Sequence, residues 1–387
     1  MKVGLSVLLN EQSALVEGRP VGLITNQTGV DEQLRSNLAL FAGHPKIQLA
    51  ALFSPEHGIW GSAQNGIHIP SATGKQQSIP IYSLYGETRK PTSEMLDKID
   101  VLVYDIQDVG ARFYTFISTL LLAMEGAAES GIDFVVLDRP NPTRGDRVEG
   151  NLLQPAFQSF VGPHPLPIRH GMTVGELARL FKAELDLDLN LQVVPMQGWG
   201  RSMWYDQTGL SWIPPSPNMP TLQTATLYPG VCLIEGTDLS EGRGTTKPFE
   251  WLGAPWIDAD WWADTLNHSG LPGVRFRAVH FTPVFSKHAD EPCHGVQVHV
   301  RNRDEMKPID VSLHLIATVI DRHPNQFAFR QNHGRYPFDL LAGTDRLRLA
   351  LMAGESPVEI AGPWLADVDE FAARRASHLL YRESRYR

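Results

Sequence analysis

Along the first half of the chain, short fully apolar runs alternate with stretches whose apolar residues recur every three to four positions. The runs in VGLITNQTG (21–29), IQLAALFSPEHG (47–58), VLVYDIQD (101–108) and FVVLDRPNP (134–142) each stop at polar residues, the pattern of strands buried on both faces. FISTLLLAMEGAAESG (116–131) is apolar over the length of a helix and closes on Gly131, a residue type that ends helices in the left-handed conformation. Thr173 and Glu176, at capping-box spacing, open an amphipathic helix that leads into the strand LQVVPM (191–196). Such alternation predicts an α/β fold, a doubly wound and mostly parallel sheet, over residues 1–205.

Beyond residue 205 the texture changes. WIPPSPNMPTLQTATLYPG (212–230) is too rich in proline and turn formers for regular structure, whereas GVRFRAVHF (273–281) and CHGVQVHV (293–300) read as strands and late helices follow. A smaller α+β auxiliary domain is expected over 206–387.

A chain of 387 residues, 42% apolar and 20% charged, has ample material for large cores and exceeds what one core usually holds. Its 34 basic and 43 acidic side chains leave a formal charge of −9, which provides no electrostatic footprint for nucleic acid or anionic lipid. A small neutral or singly charged ligand suits that balance better. The opening MKVGLSVLLNEQ is interrupted by polar residues before a signal-peptide core is complete, and no run of 18 apolar residues occurs. The expectation is a cytoplasmic protein without membrane insertion. Cys232 and Cys293 are too few for a metal site and are expected as two buried thiols, a disulfide being the alternative.

In an open parallel sheet, ligands bind beyond the carboxyl ends of the strands. The polar residues there are Asn26 and Gln27, Glu56 and His57, Asp105 and Asp108, and Asp138, Arg139 and Asn141. Any one of them could merely cap a turn, but four strand ends together point to a site. TNQTG after the first strand lacks the dinucleotide fingerprint, and neither a phosphate-binding loop nor a Gly-x-Ser-x-Gly elbow occurs. PEHG lacks the second histidine of a zinc-protease helix, and His164, His170, His288 and His294 have no tight ligand spacing, so neither a metal nor a cofactor is expected. Carboxylate chemistry remains, as in glycoside hydrolysis, where one carboxyl serves as acid. Glu56, with Phe53, Pro55, Ile59 and Trp60 around it in sequence, has apolar neighbours of the kind that hold a carboxyl protonated near neutral pH.

Taken in order, GLITNQTGVD, LFSPEHGIWG, VYDIQDVGARFYTF, VLDRPNP, VEGNLL, PLPIRHGMTVGELARLF, PPSPNMPT, LYPGVCLIEGTDLSEGRGTTKPFEWLGAPW and YPFDLLAGTDRLR resemble the exo-β-N-acetylmuramidase family of glycoside hydrolases. The resemblance covers nearly the whole chain. It implies a Rossmann-like domain without a dinucleotide, a C-terminal auxiliary domain and a site in the cleft between them. The implied activity is removal of terminal N-acetylmuramic acid from the non-reducing end of peptidoglycan fragments, a small carbohydrate substrate. The family's proposed catalytic glutamate falls on SPEHG, hence on Glu56, with His57 positioning it or the sugar. For a second catalytic group Asp108 is favoured over Asp105 and Glu241, and the substrate's own 2-acetamido group is a further alternative; Glu241 has a competing structural role as a partner for Arg243.

Muramic acid bears a lactyl ether ending in a carboxylate, which a guanidinium binds through two parallel hydrogen bonds. Arg112, Arg169 and Arg243 are the candidates for that contact, and Trp60, Tyr114 and Trp251 for stacking on sugar faces. Asn26, Asn141, His170 and Asn218 complete the set expected around the substrate. A non-catalytic muropeptide or amino-sugar binding module on the same scaffold is the alternative, against which the retained Glu56 argues.

Overall fold

The computed structural model describes residues 1–64, 66–67, 72–73 and 79–381. Its main sheet contains β1 (Pro20–Thr25), β2 (Gln48–Ser54), β3 (Ala72–Thr73), β4 (Pro80–Ser83), β5 (Val101–Asp105) and β6 (Asp133–Leu137). After a hairpin pair, β7 (Glu149–Leu152) and β8 (Pro167–Arg169), β9 (Leu191–Val194) completes it. The order across the sheet is β3-β4-β2-β1-β5-β6-β9, parallel throughout except for β3 on β4. This is the doubly wound order expected of an α/β fold, with its switch point between β1 and β5.

Alternation along each strand sends neighbouring side chains to opposite faces. Leu102 and Tyr104 of β5 join a core with Ile117, Leu120 and Met124 of the helix Phe116–Ser130 and with Leu177 and Phe181 of the helix Val174–Glu184. Val101 and Val103 join the other core with Leu5 and Leu8 of the helix Gly4–Glu11 and Phe41 of the helix Asn37–Gly43. Gly131 closes its helix at φ +65°, and Thr173 and Glu176 form both halves of a capping box.

The second half carries a smaller antiparallel sheet, β10 (Trp251–Ala254), β11 (Val274–Phe281) and β12 (Cys293–Val300), in the order β10-β12-β11. Its Leu252, Val296 and Val298 belong to the same continuous core as Leu102 and Tyr104. One face of the main sheet is thus packed directly into the second half. Both cysteines are buried free thiols, and among the described residues no helix is long and apolar enough to cross a membrane.

The stretch 212–230 departs from expectation. It is irregular only to Pro220, and Leu222–Val231 is a helix whose first turn is capped by the Thr221 hydroxyl, accepting from Thr224 N at 3.1 Å. Pro229 removes one helical N–H late in the helix, a local penalty offset by burial of every residue from Thr224 to Val231. Gly230 is required there, since a β-carbon would lie 1.7 Å from the carbonyl oxygen of Pro308.

At the end of β6, Asp138 ties the C-terminal segment to the sheet. Its carboxylate accepts from Gly175 N (2.9 Å), the Thr173 hydroxyl (2.7 Å) and the Tyr381 hydroxyl (2.5 Å). Burial pushes its pKa up to about 7 in spite of the Tyr381 bond, and the nearby Glu176 charge adds to the rise. A raised carboxyl retains its proton in the folded state where the unfolded chain has lost it, so its favourable contribution is complete below the ordinary value of 3.8 and is lost as pH rises through about 7. Denaturant unfolding of wild type and Asp138→Asn at about pH 5 and about pH 8 checks this. The wild type is expected to lose stability relative to the variant over that interval; parallel pH dependence would refute the assignment.

Candidate active site

Beyond β2 the chain turns abruptly at Pro55–Gly58, where Gly58 N donates to the Pro55 carbonyl at 3.0 Å and both His57 and Gly58 have left-handed φ, +73° and +78°. For a residue with a β-carbon this conformation costs on the order of 1 kcal/mol, held here by the surrounding structure. It has a consequence for the site. Adjacent residues on an extended strand face opposite ways, yet Glu56 and His57 line the same cleft.

The Glu56 carboxylate accepts from the Thr115 hydroxyl at 2.7 Å and from Gly66 N at 3.0 Å. Thr115 immediately precedes the helix Phe116–Ser130, so the carboxylate sits at a helix N-terminus, where negative charge is favoured. Tyr85 stands beside it, its hydroxyl pushed up to about 12 by burial first and by the Glu56 charge second. The apolar surroundings expected for Glu56 are not what meets it. Phe53 and Ile59 belong to the two cores of the sheet and Trp60 is 71% exposed, while donors face the carboxylate.

His57 donates from Nδ1 to the Ala63 carbonyl at 2.7 Å. Burial depresses its pKa below the ordinary 6.5 despite the neighbouring Glu56 charge, with Arg243 contributing in the same direction as burial. The ring is therefore neutral at pH 7, and with the proton on Nδ1 its Nε2 is an acceptor.

The cleft has a volume of about 370 Å³, within the range of small-ligand pockets, roughly 300–1,000 Å³. Tyr85, Arg89, Tyr114 and Phe160 form its wall in the first half of the chain, and Ser216, Tyr228, Glu235 and Arg243 face them from the second.

The other strand-end residues gather at the same edge of the sheet, where most of their polar atoms are taken up, although Asn26 Nδ2 and Asp108 Oδ1 stay without a hydrogen-bond partner among the described residues. At the switch point Asp105 Oδ1 meets Arg139 Nε at 2.6 Å, while Oδ2 meets Arg139 Nη2 at 3.0 Å and Asn37 Nδ2 at 2.7 Å. Only about 10 Å³ stays open beside this plug. Asn26 and Asn141 each accept from the backbone two residues on, Thr28 N at 2.9 Å and Thr143 N at 3.0 Å, as turn-capping asparagines do. Asp108 is buried off the cleft wall, accepting from Gly110 N at 2.6 Å, and His170 Nε2 lies 3.7 Å from it. Because Met172 N donates to His170 Nδ1, the imidazole proton sits on Nε2, toward Asp108.

Of the three arginines proposed for the lactyl group, two lie in the interior. Arg112, wholly buried, donates to the carbonyls of Asn151 (2.9 Å), Leu166 (2.7 Å) and Leu341 (2.9 Å), and burial pushes its pKa down to about 9. Arg169 pairs with Glu149 at 2.6 Å and also donates to the Thr143 carbonyl. Arg243 does line the cleft, yet it is held by Glu235 at 2.5 Å and by Glu241 at 3.4 Å. Glu241 is buried against Lys287 at 2.8 Å; burial would raise its pKa, but Lys287 and Arg243 hold it below the ordinary value. Asn218 donates to Gln64 Oε1 at 3.0 Å, tying the proline-rich loop to the segment after Glu56. Trp251 packs on Phe281 rather than lining the cleft.

Tyr85, Arg89, Thr115, Phe160 and Glu235 line the cleft without having been singled out from the sequence. For Tyr85 and Arg89 a signal existed: SIPIYSLYGETR carries them just past the apolar run that forms β4, so the strand-end rule applies to them as well.

Two family models match, exo-beta-N-acetylmuramidase NamZ, N-terminal, over residues 21–223 and exo-beta-N-acetylmuramidase NamZ, C-terminal, over residues 226–381. The chain belongs to the exo-β-N-acetylmuramidase family. Within it, the chain is 46% identical over 381 residues to the peptidoglycan beta-N-acetylmuramidase NamZ of Bacillus subtilis strain 168, covering 98% of this chain and 91% of that protein. Its two-domain fold matches a crystal structure of a DUF1343 family protein from Bacteroides fragilis NCTC 9343, at 40% identity and a TM-score of 0.92 over 98% of this chain and 99% of that one. A second DUF1343 family protein of the same organism aligns at 30% identity and a TM-score of 0.76 over 99% of both chains.

Proposed function

We infer that the chain is an exo-acting glycoside hydrolase that releases terminal β-linked N-acetylmuramic acid from the non-reducing end of peptidoglycan fragments. The observation that carries this reading is the Glu56 carboxylate, turned into the cleft by a left-handed bend and met there by Thr115 and Gly66. In this reading residues 1–205 supply the acid and residues 206–387 close the cleft over the sugar.

Glu56 protonates the glycosidic oxygen as the bond to the anomeric carbon breaks, and its carboxylate then takes a proton from the incoming water. His57, neutral with Nε2 as an acceptor, takes a hydrogen bond from a sugar hydroxyl. Asp108 is a positioning residue, bracing the turn before Tyr114 through Gly110 N. Attack on the anomeric carbon is assigned to the substrate's own 2-acetamido oxygen, because Asp108 and Glu241 stand off the cleft wall and Glu235 is paired with Arg243 at 2.5 Å. That oxygen bonds to the anomeric carbon as the glycosidic bond breaks; the water deprotonated by Glu56 then attacks the same carbon, breaks the acetamido oxygen–carbon bond and restores the acetamide.

The test is chromophore release from an aryl β-N-acetylmuramide, with the matching glucosaminide as control. Rapid release from the muramide and little from the glucosaminide is expected. Binding of the muramide with release from neither substrate would favour the non-catalytic module instead.

A further inference from the structure

With Arg112 and Arg169 buried and Arg243 paired, one more cation faces the cleft. We propose that Arg89, stacked on Phe160 and Tyr85, is the residue that selects muramic acid by binding its lactyl carboxylate. This assignment rests on the muramidase reading.

Arg89 is exposed at the cleft wall, and among the described residues its guanidinium has no hydrogen-bond or ion-pair partner. Its neighbour Lys90 is committed elsewhere, to Glu129 at 2.5 Å and Glu125 at 3.9 Å. The Arg89 guanidinium carbon lies 4.2 Å from the centroid of the Phe160 ring and 5.4 Å from that of Tyr85, and the two rings are 5.8 Å apart. Stacking engages the flat face of a guanidinium and leaves its N–H edge, the part that matches a carboxylate bidentately, turned outward. An arginine so placed is already ordered before ligand arrives, so less side-chain entropy is lost on binding.

Position agrees with chemistry. Tyr85 lies beside Glu56 and under Arg89, so a single aromatic ring separates the acid from the cation. In muramic acid the lactyl ether hangs on ring carbon 3, across carbon 2 from the anomeric carbon where the bond breaks. A sugar with its anomeric oxygen at Glu56 therefore carries its carboxylate close by. Charge argues the same way. The protein has a formal charge of −9, which opposes the approach of an anionic sugar unless a cation in the cleft compensates. Arg243 cannot do so while two carboxylates hold it.

The experiment compares an aryl β-N-acetylmuramide with its lactyl methyl ester, which keeps the shape and removes the charge, in wild type, Arg89→Ala and Arg89→Lys. Wild type is expected to prefer the free acid. In Arg89→Ala the KM for the acid rises about 10- to 100-fold, the scale of a charge-assisted hydrogen-bonded pair, with kcat changed little, so that the acid-over-ester preference disappears. Arg89→Lys retains charge without the fork and falls between. Calorimetric binding of free N-acetylmuramic acid and N-acetylglucosamine should show the same loss of discrimination. An unchanged acid-over-ester ratio in Arg89→Ala, or an equal loss on both substrates, would overturn the role of Arg89 and leave the hydrolase reading standing. If wild type neither turns over nor binds either muramide, the hydrolase reading itself fails and this assignment falls with it.

Discussion

Glu56→Gln is expected to fold as the wild type does and to lose nearly all hydrolysis of a natural fragment ending in N-acetylmuramic acid. The local chemistry allows the fold to survive. Glutamine can keep its carbonyl oxygen on Gly66 N and turn its amide toward Thr115, whose hydroxyl rotates to accept where it had donated. What disappears is the transferable proton. General acid catalysis typically accounts for about 10²–10⁴-fold, and the loss should appear in kcat because binding contacts are retained. A dinitrophenyl muramide, whose leaving group departs without protonation, should be spared most of it. Wild-type turnover of a natural disaccharide by a folded Glu56→Gln sample would sink the assignment of Glu56 as acid.

Arg139→Met is expected to produce the largest loss of stability, about 3–5 kcal/mol, because it leaves the Asp105 charge buried with Asn37 as its remaining side-chain donor. Asp105 is fully buried at the centre of the sheet edge, beside a crevice with about 10 Å³ of free space, so water has little room to take over the role of the guanidinium. Adding Asp105→Asn removes the uncompensated charge and should recover part of the loss. Denaturant unfolding of the single and double variants measures both effects. A loss below about 1 kcal/mol in Arg139→Met would mean that the pair contributes no more than an exposed one.

The Asp105–Arg139 pair also explains why this doubly wound sheet has its site in an unusual place. The crevice between β1 and β5, where such folds commonly bind nucleotides, is filled by the protein's own ion pair. Ligand space lies instead one strand over, beyond β2, where Glu56 and His57 face residues of the second half.

Five strands of the main sheet were legible in the amino-acid pattern. Strands β1, β5 and β6 and the C-terminal half of β2 are buried almost throughout, and continuous burial leaves an uninterrupted apolar run, whereas the edge strand β9 is buried only at Val194 and was read from its short apolar stretch alone. Gly131 and the Thr173–Glu176 box were equally legible, because helix ends are decided by residues within one turn of each other. Where an element depended on distant partners, local signals failed. β4 is a four-residue, mostly half-buried strand beginning at a proline, and the helix Leu222–Val231 forms against its own Pro229 because burial outweighs propensity.

The same division runs through the site. SPEHG marked Glu56, but nothing local separates Glu56 from Asn26, Asp105 or Asp108, which occupy equivalent strand ends. Asp105 is taken up by Arg139, delivered from another strand end 34 residues away, while Asn26 and Asp108 accept from the turns that follow them. The arginines were decided likewise. Arg112, in a glycine- and aromatic-rich motif, resembled a ligand contact, yet its fork is closed by carbonyls as far along the chain as Leu341, 229 residues on. Arg89 stands in the charged stretch GETRK just past β4, and it is Phe160, from a distant part of the chain, that with Tyr85 holds it at the cleft. A guanidinium binds whatever acceptors the fold brings to it, and those acceptors come from parts of the chain that only tertiary packing places together.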